Sequence, residues 1–272
     1  MTVSSDLRLV SPTGKPIPIP PSRPNAGVQA AYRKRLDALI REMQDSIVYW
    51  LRAAYRANDP EIAMDDSPAS SLKKAMRRLS RRWQRRFDEI ADPLAKRFVE
   101  SAMRAADVSL AQRLRDRGFS VQFKLTAAAN DVAQASVFEN VGLIKSIASE
   151  HLQEVEGLVM RSVQQGRRLD ELTKQLADRY GITKRRAAFI ARDQNNKATA
   201  TITRVRQESL GLTKARWRHS HAGKKPRPSH VAADGKEYDV RTGMLIDGKY
   251  IRPGEEPNCR CASESIIPGF ES

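Results

Sequence analysis

From about Ala30 to Ser209 apolar residues recur at helical spacing, and from Trp217 to Cys261 that period disappears. No other feature constrains the fold as much. The first stretch has to cover one face of each successive helix, because an amphipathic helix is stable only when its apolar stripe is buried. The second stretch holds three of the four histidines (His219, His221, His230), both cysteines (Cys259, Cys261) and a scatter of glycines and prolines. It closes on Pro257-Asn258-Cys259-Arg260-Cys261. Composition of this kind does not bury a core by patterning, so specific ties must order it.

The helical stretch divides at its punctuation. Leu36, Leu39, Ile40, Met43, Ile47, Trp50, Leu51 and Ala54 share one face of a helix from about Ala30 to Ala57, stopped by Asn58-Asp59-Pro60. A loop from Glu61 to Ser70 precedes a helix from Ser71 to Ile90. Asp92-Pro93 then caps and opens another, ending near Arg117-Gly118. Phe119, Val121, Phe123 and Leu125 alternate with polar residues, as in a strand or extended connector. Helices from Ala127 to Val137 and, after Asn140, from Val141 to Gln165 follow, the second ended by Gly166. His151 has no ligand partner nearby in sequence and is expected at the surface. A helix from Leu169 to Tyr180 ends at Gly181, and Thr183 serves as N-cap for the next, Lys184 to Ser209, stopped by Gly211. In that last helix Ala187, Ala188, Ile190 and Ala191 precede the polar run Arg192-Asp193-Gln194-Asn195-Asn196. Polar residues on a core-facing helix imply buried hydrogen bonds to whatever follows. The rival reading makes Asp193 a catalytic acid, but one carboxylate beside an arginine is more often a structural ion pair.

The helix from Ser71 to Ile90 carries the clearest signal. At ~100° per residue, Leu72, Met76, Leu79, Trp83, Phe87 and Ile90 fall in one narrow arc. Opposite stand Lys73, Lys74, Arg77, Arg78, Arg81, Arg82, Arg85 and Arg86, with no glutamate among them. Like charges four apart destabilise an isolated helix by a few tenths of a kcal/mol per pair. A chain that retains them is expected to face a polyanion, and arginines at this spacing reach phosphates without reading bases. The net charge of +16 agrees, while an aromatic content of 6% argues against binding single strands by base stacking.

Other classes are excluded more simply. The longest apolar run, Ile47-Val48-Tyr49-Trp50-Leu51, is far too short to span a bilayer. Met1-Thr-Val-Ser-Ser-Asp has no basic region leading into an apolar core, so no leader peptide is expected. Two cysteines one residue apart make no disulfide framework, which points to a reducing cytoplasm. Pro12, Pro16, Pro18, Pro20, Pro21 and Pro24 mark residues 1–29 as an extended, polyproline-II-like arm. Ile17 and Ile19 would let that arm dock on a partner.

In the terminal stretch, Lys214 to His219 reads as a strand with Ala215 and Trp217 inward, and Asp234-Gly235 and Asp247-Gly248 as hairpin signals. His230, Cys259 and Cys261 are suitable zinc ligands, with His221, His219 or Asp234 as a fourth, although Cys-x-Cys is a poorer chelate than Cys-x-x-Cys. Against zinc stands a reading in which both cysteines are small buried groups and His230 bonds backbone carbonyls. A Cys–His nucleophile, or a nuclease with His230 as base and Asn258 as orienting residue, is the enzymatic alternative. No phosphate loop, nucleophile elbow or spaced carboxylate pair accompanies it, and the expectation is no enzyme and no required cofactor.

Several of these residues also form a recognisable series. The chain contains Asn140-Val-Gly-Leu-Ile-Lys and Gly181-Ile-Thr-Lys-Arg-Arg-Ala-Ala-Phe-Ile-Ala-Arg-Asp-Gln. Trp217, His230, Asp234-Gly235, Pro253-Gly254 and Asn258-Cys-Arg-Cys follow in order. From Asn140 to Cys261 this resembles the phage Mu F-like head morphogenesis family. One departure is clear: where the family has an acidic residue and an Arg-x-Arg-like run before the histidine, this chain has Lys224-Lys225-Pro226-Arg227-Pro228-Ser229.

The resemblance implies a minor capsid protein assembled in the host cytoplasm and sited inside the capsid near the portal. Its partners would be the portal protein, the major capsid or scaffolding protein, and double-stranded DNA without sequence preference. It makes Arg192, Asp193, Gln194, Trp217, His230, Asn258, Cys259 and Cys261 a structural motif. The alternatives are a zinc-stabilised nucleic-acid-binding module or a Cys/His hydrolase. The expected fold is mainly α, an elongated helical region followed by a small α+β domain of short strands and hairpins. Its divisions would be residues 1–29 (arm), 30–139 (basic helical domain), 140–211 (helical part of the Mu F-like domain) and 212–272 (β-rich cap).

Overall fold

A computed structural model describes residues 14–57, 68–165, 169–221 and 225–269. The expected stops at Asn58-Asp59-Pro60 and Gly166, most of the loop from Glu61 to Ser70, Pro12 and Lys224 lie outside the described residues. Four long helices dominate: α1 (Ala26–Ala57), α2 (Pro68–Arg115), α3 (Ala127–Gln164) and α4 (Leu169–Ser209). The short strands and the five-residue helix α5 (Pro228–Ala232) lie almost entirely after them. The chain is mainly α with a small β region, as its pattern predicts.

Local chemistry sets the helix ends. Asn25 Oδ1 accepts the Val28 N–H at 3.1 Å and Thr126 Oγ1 accepts that of Ala129 at 3.2 Å, each capping an N-terminus. α2 and α4 end at Gly118 (φ 87°) and Gly211 (φ 71°). In both, the next residue bonds back five positions, Phe119 to Leu114 and Leu212 to Gln207, which closes the orphaned carbonyls of the last turn.

Three expected breaks are absent. Pro93 lies inside α2, whose buried face runs on through Phe87, Ala91, Ala95, Phe98 and Val99. Proline removes one ladder bond and costs about 3 kcal/mol in a helix interior, and continuous apolar burial on both sides outweighs it. α3 runs through Asn140, which is buried and accepts a hydrogen bond from Tyr32 Oη at 3.1 Å. α4 runs through Gly181, and Thr183 is no N-cap: its hydroxyl donates to the Arg179 carbonyl at 3.1 Å.

The residues cluster into two compact units, each drawing on all four helices. One unit comprises residues 30–96 and 137–191. Its core takes Leu36, Ile40, Met43, Ile47 and Leu51 from α1, Leu72, Met76, Trp83 and Phe87 from α2, Ile144, Leu152 and Val159 from α3, and Leu172 and Ile190 from α4. Trp50 departs from its predicted face: it is 48% exposed and sits edge-on to Tyr49. His151, expected at the surface, is fully buried, with Nδ1 2.9 Å from Thr183 Oγ1. Because the Thr183 proton goes to Arg179, His151 must donate from Nδ1, leaving Nε2 bare and unpartnered in the core. Burial, reinforced by Arg179, lowers its pKa from 6.5 to about 4.

The other unit comprises the described residues within 1–29, 97–136 and 192–272. Its antiparallel sheet has the order β1 (Gly14–Ile19), β6 (Ala262–Gly269), β2 (Lys214–Arg218), β3 (Glu237–Asp239). A separate hairpin pairs β4 (Met244–Ile246) with β5 (Lys249–Ile251), turning on Asp247 and Gly248, both at positive φ. Asp234-Gly235, by contrast, follows α5 and makes no hairpin: Gly235 N–H returns to the Trp217 carbonyl at 2.9 Å. Phe119, Val121 and Phe123 form the extended connector, packed with Leu110, Leu114, Leu212 and Ile267.

Residues 14–19 of the proline arm are an edge strand of this sheet. Pro16 and Pro18 alternate, which puts both missing donors on the same edge and leaves Ile17 and Ile19 to pair with Ile267 and Ser265 of β6. Ile19 is fully buried beside Leu110, Leu114, Leu212 and Ile267. Ile17 and Ile19 therefore dock on their own chain.

Candidate functional site

Two regions carry the residues singled out by sequence. The first is the exposed face of α2. Lys73, Lys74, Arg77, Arg78, Arg81, Arg82, Arg85 and Arg86 are all exposed, while Leu72, Met76, Leu79, Trp83 and Phe87 opposite them are buried. Arg85 Nε donates to the Arg81 carbonyl at 3.3 Å, and Arg86 lies 3.9 Å from Glu89. Arg82, Arg85 and Arg86 share a shallow cleft with Glu42 and Glu89, so acids adjoin one end of the row. Glu42 comes from α1 and had no local signal in the sequence.

The second region is the corner from Asn258 to Cys261, held against α4. Asn258 has φ 59°, a left-handed conformation that asparagine tolerates better than most residues. That turn lets its N–H donate to Asp193 Oδ1 and its Oδ1 accept from Arg192 Nη2 at 3.2 Å. Asn196 Nδ2 donates to the Cys259 carbonyl at 3.2 Å. Asn195 Nδ2 holds the Asn25 carbonyl at 3.0 Å, and Gln207 Nε2 reaches Ser263 and Ser265 of β6 at 2.8 Å each. The polar run of α4 is a set of ties, as its position on a core-facing helix predicts. Asp193 is among them, buried and bonded to backbone.

Behind the corner lies a compact apolar cluster. Trp217, fully buried, meets the His230 ring edge-on at 5.2 Å and Tyr238 at 6.2 Å. α5, opened by Pro228, delivers His230 into this cluster. His230 bonds no backbone carbonyl there: Nε2 is 3.1 Å from Glu256 Oε2, and Nδ1 faces Cys259 Sγ at 3.5 Å and Cys261 Sγ at 3.7 Å. Glu256 was missed from sequence, since nothing local marks an acid two residues before the cysteine turn as a histidine partner. The Cys261 thiol donates to the Cys259 sulfur, which with backbone N–H groups holds the Cys259 thiol below its ordinary pKa; the same contact and burial push Cys261 up.

His219, His221 and Asp234 assemble separately. Asp234 Oδ1 accepts the His219 N–H at 2.9 Å and Oδ2 lies 3.2 Å from His221 Nε2. The His219 backbone bond, and after it the His221 ring, hold the Asp234 carboxyl below the usual range. Sequence also missed Arg206, 3% exposed, which grips Asp107 through two 2.8 Å bonds and the Lys124 carbonyl through a third. Such a pair, ninety-nine positions apart, has no local sequence signature.

The fold and the corner together define a helix-anchored cap whose polar residues mostly bind one another. Residues 153–264 match the family described as "Phage Mu protein F like protein", and this stretch of the chain is similar to that family. It is also 27% identical over 246 residues to an uncharacterized protein of Haemophilus influenzae (strain ATCC 51907 / DSM 11121 / KW20 / Rd), covering 88% of this chain. The chain spans about half the length of that relative, 53%. No solved structure matches. Among the described residues no helix is long and apolar enough to cross a membrane.

Proposed function

We propose that this chain is a minor capsid protein that associates with the portal and with the major capsid or scaffolding protein on the procapsid interior. It contacts double-stranded DNA without sequence preference and supports packaging or delivery of the genome. The observation that carries the DNA contact is the exposed row from Lys73 to Arg86, set opposite a buried apolar arc on one regular helix. A rigid helix presenting cations on successive turns matches a phosphate backbone by charge and spacing, with nothing that distinguishes bases. The Mu F-like match supports the capsid setting.

The test is binding to random-sequence duplex DNA across a salt series. Changing Arg77, Arg78, Arg81 and Arg82 together to Glu should lower the slope of log affinity on log salt by roughly 3–4, since each phosphate contact contributes about 0.9. An unchanged slope would remove the DNA role from this face. Co-purification with a portal ring tests the partner separately, and failure to bind it under assembly conditions would count against the capsid placement. The hydrolase alternative finds no support in the corner, where His230 and Cys259 are each 3% exposed and cannot meet a substrate.

A further inference from the structure

We propose that His230, Cys259 and Cys261 form a zinc site that fastens the C-terminal corner to the core of its domain. The three ligand atoms lie within 4.8 Å of one another, with both S···N separations, 3.5 and 3.7 Å, measured from the same Nδ1. A tetrahedral ion with Zn–S of about 2.3 Å and Zn–N of about 2.0–2.1 Å requires S···N edges of about 3.6 Å. The nitrogen already stands at this edge length from both sulfurs.

The surroundings aim the donors at a cation. Glu256 Oε2 lies 3.1 Å from His230 Nε2, so the ring proton belongs on Nε2 and the bare lone pair on Nδ1, between the sulfurs. A carboxylate behind an imidazole in this way orients a metal-ligating histidine and raises its basicity. One cation at this point would replace both thiol protons and be held by the nitrogen and the two sulfurs together. The Gly254 N–H points to Cys259 Sγ at 3.4 Å, a contact that suits a thiolate. Sulfur and imidazole donors select zinc over magnesium or calcium, and binding releases both thiol protons.

The short Cys-x-Cys chelate is made workable by the left-handed turn at Asn258, which Arg192 and Asp193 hold in place. Three protein donors leave one coordination position to a solvent oxygen, because His219 and His221 belong to the separate Asp234 cluster. The burial of all three ligands makes the role structural: closing the Asn258–Cys261 turn onto the Trp217 cluster.

The experiment uses the full chain, purified under reducing conditions without a metal-affinity tag. Elemental analysis should find about one zinc per chain, released when a mercurial titrates the two cysteines. Cobalt exchanged into the protein should give a thiolate-to-cobalt charge-transfer band. Cys259→Ser and Cys261→Ser should each lower zinc content at least about tenfold, while Glu256→Gln should retain the ion with affinity weakened about 10–100-fold. The wild-type measurements stand even if a variant fails to fold. Below about a tenth of an equivalent in the folded wild type, with no cobalt band after reconstitution, the proposal falls.

Discussion

The basic face of α2 and the corner around Trp217 are opposites in how their residues act. On α2, the cations from Lys73 to Arg86 lie on one exposed face of a helix, and the function proposed for them needs no partner from elsewhere in the chain. At the corner, the polar groups bond other parts of the same unit: Asn258 to Asp193 and Arg192, Cys259 to Asn196, His230 to Glu256 and the cysteines. An outward face is free to change without unfolding anything, whereas an inward network fails when one member is lost. The comparison teaches that the residue types most suggestive of chemistry, His230, Cys259 and Cys261, are buried here, and that the plain repeat of arginines lies exposed, which is why the proposed function is placed on the arginines.

Substitutions can break that contrast, and the largest effect belongs to the corner. Trp217→Ala empties the centre of the cluster and should cost about 3–5 kcal/mol, read from urea unfolding. A cost below about 1 kcal/mol would show that the corner does not depend on it.

The helical unit has inward polar ties of its own, and pH exposes the one at His151. The folded pKa of His151 lies below its unfolded value, at about 4 against 6.5, so the unfolded chain binds the extra proton. Its contribution is complete above pH 6.5 and is lost as pH falls toward 4, by up to roughly 3 kcal/mol. His151→Gln should flatten the stability curve in that window relative to wild type. Parallel curves would place the acid sensitivity elsewhere.

Gly254 tests the corner more gently. It has φ 82°, and a Cβ there would stand 2.5 Å from Ala200 Cβ of α4, so Gly254→Ala should cost about 1–3 kcal/mol in thermal unfolding. A neutral result would mean that the Pro253-Gly254 turn can move off α4.

The smallest stability effect should come from the largest change in charge. Replacing Arg77, Arg78, Arg81 and Arg82 by Glu relieves like-charge pairs and should alter stability by less than about 1 kcal/mol, even as DNA affinity collapses. A large loss of stability would mean the row supports the fold and would erase the contrast with the corner.

Much of this was legible in the sequence wherever one segment suffices. The α2 arc, the Schellman ends at Gly118 and Gly211, the Asp247-Gly248 hairpin and the inward Ala215 and Trp217 follow from period and turn chemistry. The order of motifs from Asn140 to Cys261 likewise pointed to the Mu F-like family, whose model matches residues 153–264. Punctuation was read less well when packing overrode it, as at Pro93, Asn140 and Gly181, where burial on both sides carried a helix through.

The sequence alone determined the helical class, the charged face and which residue types would gather after Trp217, because those depend on neighbours a few positions away. Only the tertiary structure decided that Pro16 and Pro18 edge a sheet, that His151 is buried on Thr183, and that Arg206 holds Asp107. It alone put Glu256 behind His230 and both cysteine sulfurs before it. Each of these joins distant segments, and the free energy that selects such a pairing resides in desolvation and packing, which no local pattern encodes.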